Sequence, residues 1–157
     1  MLTLKKLAAW GAALATLAAL GCGDGHPQRV PVSGKVMVDG QPLTKGYIRF
    51  VPANGRASGA DIQPDGSFTL ACYDMKNPDG ALLGEHAISV VATEPAGSSA
   101  TKWLVPQKYR DHTTSELKQT IDGPKSDLVV NLTWDGKAPF VEKFSDEGAQ
   151  PAATITP

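Results

Sequence analysis

Tyr109-Arg110-Asp111-His112 sets a phenol, a guanidinium, a carboxylate and an imidazole side by side, the groups that acid–base hydrolysis uses. The bland reading of the same four residues is a polar loop ahead of a strand at 116–121, with Tyr109 packed beneath it. His86 offers a second imidazole, which Glu85 or His112 would have to meet for proton transfer or for metal binding. Glu85 cannot, because successive residues on a strand point to opposite faces. The chain has 3 histidines, His26, His86 and His112, and none stands at a His-x₃-His spacing. No metal set follows and no cofactor is expected. His86 reads instead as filling the place of a half-buried aromatic, and His26 as solvated. A serine elbow, a glycine-rich phosphate loop and a carboxylate pair are all missing from the sequence. Trp103 and Trp134 could stack on a sugar, but two isolated tryptophans read more simply as packing at the edge of a core.

The 2 cysteines pose a different question. In "SFTLACY", Cys72 alternates with Phe68 and Leu70, so a strand would turn all three inward and make Cys72 a small buried hydrophobe. Cys22 ends the uncharged run Leu7–Gly21, which follows Lys5 and Lys6. That run is shorter than the roughly 18 to 20 residues that span a bilayer as a helix. It is apolar all round rather than striped, so it reads as a secretory signal over 1–21 and not as a core helix. Cys22 is then the first residue of the mature chain, and a Cys22–Cys72 disulfide is the arrangement that would overturn this.

What must position these groups is a set of strands. The 157 residues include 16 Gly and 12 Pro, with 41% hydrophobic and 20% charged side chains, which suits short strands joined by turns. Period-two alternation marks Val32–Val38, 46–51, 57–62, the "SFTLACY" stretch, 84–92, 116–121 and 127–132. Asp39-Gly40 and Asp65-Gly66 supply turns. No amphipathic helix stands out. The expected fold is therefore an all-β sandwich over 32–133, behind a lipidated N-terminus and tether at 22–31 and ahead of a mobile C-terminal tail at 134–157. The stretch from Glu94 to Thr114 is long for a hairpin, so Trp103, Tyr109, Arg110 and His112 form the expected partner-binding loop. Net charge is −1, and removal of Lys5 and Lys6 leaves 13 basic residues against 16 acidic ones. That balance, without a basic stripe, excludes nucleic acid as a partner.

Two resemblances extend the reading. "Ala19-Leu20-Gly21-Cys22" resembles the bacterial lipobox, with Gly21 directly before the cysteine, although Ala19 and Leu20 stand where the commonest pattern has Leu and then a small residue. The resemblance implies a diacylglyceryl group on the Cys22 sulfur, cleavage before Cys22 and acylation (palmitate) of the new amine. Several chains, at about 0.8 kcal/mol per buried CH₂, would hold the protein to a membrane firmly. "VSGKVMVDGQPLTKGYIRFVP", "DGSFTL" and "GEHAISV" together resemble the carboxypeptidase regulatory-like module, carried by Gly34, Val36, Gly40, Pro42, Leu43, Gly46, Asp65, Gly66, Phe68, Gly84, His86, Ile88 and Val90. "VPQKYRDHTTSEL" is similar to the version in short planctomycete lipoproteins. The family implies a seven-stranded Greek-key sandwich of the transthyretin (prealbumin) type. It also implies a non-catalytic structural or binding role on the periplasmic or outer face of a bacterial membrane, with another envelope protein or a glycan as partner. Two other functions stay open: a transthyretin-like hydrolase, which needs His86 and His112 in one cleft, and a carbohydrate-binding module, which needs Trp103 or Tyr109 exposed. The hydrolases carry Tyr-Arg-Gly-Ser and a histidine on the first strand; here Tyr109-Arg110 is followed by Asp111-His112, and "VSGKVMV" has no histidine.

Overall fold

Alternating apolar residues need a surface to bury against, and here two sheets supply it for each other. The computed structural model describes residues 27–143; the signal segment, Cys22, His26 and residues 144–157 lie outside the described residues. Thirteen strands run in order: β1 Arg29–Val30, β2 Val32–Val38, β3 Gln41–Pro42, β4 Tyr47–Pro52, β5 Ser58–Asp61, β6 Ser67–Thr69, β7 Ala81–Leu82, β8 Gly84–Val91, β9 Thr93–Pro95, β10 Ala100–Trp103, β11 Lys118–Ile121, β12 Lys125–Leu132 and β13 Val141–Lys143. The only helical turn among the described residues is a 3₁₀ turn at Gln107–Arg110. No helix among them is long and apolar enough to cross a membrane.

One sheet is centred on β2, with β12 parallel on one side and β6 and then β3 antiparallel on the other. The second runs β11-β8-β4-β5, all antiparallel. Their facing side chains form one core: Val32, Val36, Phe68, Val130 and Leu132 from the first sheet meet Ile48, Phe50, Ile88, Val90 and Ile121 from the second. Phe50 and Phe68 touch across the two sheets, ring centroids 6.1 Å apart. The polar residues between them face outward, as the pleat requires. The described residues are thus all-β apart from one 3₁₀ turn, in several sheets without a barrel. At the turns after β2 and before β6, Gly40 and Gly66 adopt φ values of 81° and 82°, where glycine carries no steric penalty.

Register gives the molecule two distinct ends. Val32 pairs with Lys125 and Val38 with Leu132, so β2 and β12 both start at one end and finish at the other. β4 runs the opposite way in its own sheet, with Tyr47 beside Val91 and Pro52 beside His86. The N-terminal strand β1 pairs with β7 at the end where β2, β5 and β8 begin, called here the tether end.

Three expectations need correction. The Glu94–Thr114 stretch is not a loop: β9 and β10 form a hairpin, and the 3₁₀ turn follows it. The chain from Trp134 does not leave the domain as a tail, since it returns as β13 and adds a third strand beside β10. The packed unit therefore overruns 32–133 on both sides. Cys72 is half-buried rather than a core residue, because the strand stops short of it. Leu70 N–H bonds Val32 O in the first sheet, and the next residue, Ala71, exchanges bonds with Gly59 in the second. The chain crosses between sheets there, burying Leu70 and Ala71 in succession and throwing Cys72 off the inner face.

Candidate functional site

The four residues of the expected binding loop divide between core and solvent. Tyr109 is 4% exposed, and its hydroxyl donates to Thr133 O at 3.4 Å while accepting from Thr133 N–H at 3.2 Å. The Lys108 ammonium lies 4.9 Å from its ring centroid and pairs with Asp135 at 2.9 Å. Arg110 and His112 are exposed. Asp111 spends its carboxylate locally, accepting from the Thr113 N–H and hydroxyl at 2.8 Å each. Those two bonds, backbone first, together with the charges of His112 and Arg110, hold its pKa below the usual carboxylate value despite a small opposing effect of burial. His112 Nδ1 stands 3.5 Å from the same carboxylate, and Ser115 anchors the turn by donating its hydroxyl to Ile88 O. The cluster is thus a closed turn that pins Tyr109 under the sheet.

His86 has no part in that turn. It is 1% exposed, 5.9 Å from Phe50 between ring centroids, and its Nε2 sits 2.8 Å from Leu82 O. A carbonyl can only accept, so Nε2 carries a proton and donates it to Leu82 O. The half-buried position expected for His86 is in fact a fully buried one. The hydrolase reading required His86 and His112 in one cleft, and the structure puts one in the core and the other in solvent. Among the described residues, no three of His, Cys, Asp and Glu converge.

Trp103 is also a core residue, 5% exposed, with its indole N–H donating to Glu142 Oε2 at 2.8 Å. Gln107 donates to the same oxygen at 3.2 Å. Phe140 stacks on Trp103 and meets Trp134 edge-on, each at 6.4 Å. The carbohydrate platform required Trp103 or Tyr109 in the open, and both are covered. Of the rings in this cluster the exposed one is Phe140, at 41%. It borders a groove of about 260 Å³ whose apolar lining is Pro106, Trp134, Ala138 and Phe140, and whose rim is Gln107, Lys108, Asp135 and Lys137. This groove follows the ends of β12 and β10, and Trp134 N–H reaches back to Asp39 Oδ2 at the end of β2. It therefore occupies the end opposite the tether. An apolar floor ringed by two amines, a carboxylate and an amide can take a side chain or ring with a polar edge. Phe140→Ala is expected to open Trp103 and Trp134 to water: their emission shifts to the red and the domain stays folded, at a cost of about 1 kcal/mol for the lost ring pairs.

A second constellation, at the tether end, has no counterpart in the sequence reading. Arg29 is the first residue of β1, and its side chain is 5% exposed. It donates to Ser58 Oγ at 2.7 Å and to Arg56 O at 2.9 Å, and its Nε lies 3.4 Å from Asp79 Oδ2. Ser58 passes the network on by donating to Gly80 O at 2.7 Å. Asp79 Oδ1 accepts from the Cys72 and Tyr73 N–H groups at 2.6 and 3.2 Å. Burial alone would raise the Asp79 pKa, but these backbone donors and the Arg29 charge outweigh it, and the carboxyl sits below its usual value. Burial pushes the neighbouring Cys72 thiol up, so it stays protonated. Arg29 and Asp79 are 50 positions apart, the first in the stretch read as tether and the second between two expected strands; no spacing could have paired them.

Comparison with protein-family models, with curated proteins and with solved structures found no match to this chain.

Proposed function

We propose that the chain is an exported, lipid-anchored envelope module that binds rather than catalyses. In this reading β2, β4, β5, β6, β8, β11 and β12 are the seven strands of a Greek-key, transthyretin-like sandwich of the carboxypeptidase regulatory-like kind. Strands fall on each of the seven alternating stretches, which supports it. The observation that carries the functional reading is the opposition of the two ends. β1 enters at one end, seven positions after Cys22, and the groove beside Phe140 opens at the other. A domain held by its N-terminus to a bilayer would present that groove outward to another envelope protein or a glycan. Of the groups that invited a catalytic reading, His86 and Tyr109 are occupied in packing and hydrogen bonds and His112 stands apart from them in solvent, which favours binding over chemistry.

The anchor is the testable core of this reading. Mass spectrometry of protein extracted from membranes is expected to find Cys22 as the N-terminal residue carrying lipid. Cys22→Ser should leave the precursor uncleaved or release the domain to the soluble fraction. An intact Cys22–Cys72 disulfide in the native protein would overturn the assignment.

A further inference from the structure

We infer that the tether end is a membrane-docking face, in which Tyr73, Met75 and Leu83 rest on an anionic phospholipid surface and Arg56 and Lys76 meet its headgroups. The inference rests on the anchor at Cys22 and adds an orientation to it. Three of the large exposed apolar side chains gather here: Tyr73 at 45%, Met75 at 53% and Leu83 at 52% exposure. Tyr73 and Met75 belong to the loop joining β6 to β7, and Leu83 follows Leu82, the residue paired with Arg29. The guanidinium groups of Arg29 and Arg56 lie 5.2 and 5.1 Å from the Tyr73 ring centroid, so the ring is fixed beside two cations. An amphipathic ring among basic side chains suits the headgroup layer of a bilayer.

Chain length and charge choose the bilayer over another protein. Seven residues of fully extended chain reach at most about 25 Å, so a lipid on Cys22 keeps β1 and its neighbours within that distance of the surface. At this end Arg29, Arg56 and Lys76 stand against Asp74 and Asp79, while the exposed Glu85 and Asp122 carboxylates are paired with Lys118 and Lys125 at 3.3 and 2.7 Å. Asp79 is partly buried and serves Arg29 and the loop backbone, whereas Asp74 is exposed and its carboxylate is engaged locally, accepting from Lys76 N–H and the Asn77 amide at 2.8 Å each. Arg56 and Lys76 are exposed. The loop is thus braced by its own hydrogen bonds, and Tyr73, Met75 and Lys76 are exposed on it beside an Asp74 carboxylate already engaged with Lys76 N–H and Asn77.

The test uses the full-length lipoprotein, purified from membranes and reconstituted into vesicles of phosphatidylglycerol and phosphatidylethanolamine. A nitroxide is attached at Met75→Cys in a Cys72→Ser background, and at Lys137→Cys on the far end as control. Docking predicts that the label at position 75 gains oxygen contact and loses contact with a water-soluble nickel relaxant, by several-fold relative to position 137. Arg56→Glu, or vesicles of phosphatidylcholine alone, should return it to water. Hydrogen exchange of the 73–77 amides in the unlabelled protein, slower on anionic than on neutral vesicles, is the same result without a substitution. Flotation of a lipidated protein whose two labels are equally water-exposed, with unchanged exchange, overturns docking and leaves the anchor standing. Protein that does not float and carries no lipid on Cys22 overturns both.

Discussion

Arg29→Ala should lower the unfolding free energy by about 3 kcal/mol, the low end of the range for breaking a buried charge pair. For a unit of this size that is a fall in melting temperature of roughly 10–15 °C. The side chain is nearly enclosed, and its removal strands Ser58 Oγ, Arg56 O and the Asp79 carboxylate together. Asp79 is more open than its partner, with 27% of its side chain exposed, which is why the low end applies. Replacement by lysine should recover little, since one ammonium cannot serve three acceptors spread across β5, the 53–57 turn and the β6–β7 loop. Asp79 also sets an acid limit, chiefly through the backbone N–H groups of Cys72 and Tyr73, with the Arg29 charge adding to them. Because the folded state depresses the Asp79 pKa, its contribution is complete above the unfolded value and is lost as pH falls through the lower folded value. Thermal scans from pH 7 downward should therefore show the wild type losing stability below the usual aspartate range, and Arg29→Ala losing less. A variant that melts with the wild type at neutral pH would remove the clamp from the account.

Gly34→Ala is the second large effect, and its cause is space rather than charge. A β-carbon at Gly34 would stand 2.1 Å from Leu128 O and 2.7 Å from Leu128 Cβ. The closest atom is backbone, so β12 itself would have to move away from β2, and this is the pair that carries the parallel half of the core sheet. Overpacking costs about 1–3 kcal/mol where side chains can yield, and this site belongs at or above the upper value. The double variant Gly34→Ala/Leu128→Ala separates the two contacts. It should remain as unstable as the single variant or worse, because trimming Leu128 leaves its carbonyl in place. Rescue by Leu128→Ala in chemical denaturation would show that the contact is between side chains.

Both effects hinge on contacts that no local pattern announces. The strands could be read from alternation because a pleated sheet with one buried face imprints a period of two, and Ile48/Phe50, Ile88/Val90 and Leu117/Gln119/Ile121 all keep it. The period fails where the chain changes sheets, at Leu70-Ala71, and there the expectation for Cys72 failed with it. It also fails for short strands whose partners are distant. β13 exists because Phe140 and Glu142 meet Trp103, almost forty residues away, and nothing in "WDGKAPFVEK" alternates strongly enough to say so. The tetrad 109–112 looked chemical because adjacent residue types suggest convergence. On a tight turn, neighbours diverge, and Tyr109 went inward while Arg110 and His112 went out. The groove was invisible for the same reason as β13: its two walls, at 106–108 and 134–140, come together only through folding.

The parallel pairing of β2 and β12 also decides how this domain would carry a mechanical load. A pull between the end where β1 enters and the groove end drags the start of β2 one way and the end of β12 the other. The two strands run side by side in the same direction, in unbroken register over Leu128–Leu132, so their cross-strand hydrogen bonds lie across the pull and are strained together. Such a joint resists in shear, as a lapped seam does, and does not unzip bond by bond. The short β1–β7 pair beneath it would peel first, with Arg29 as its rivet.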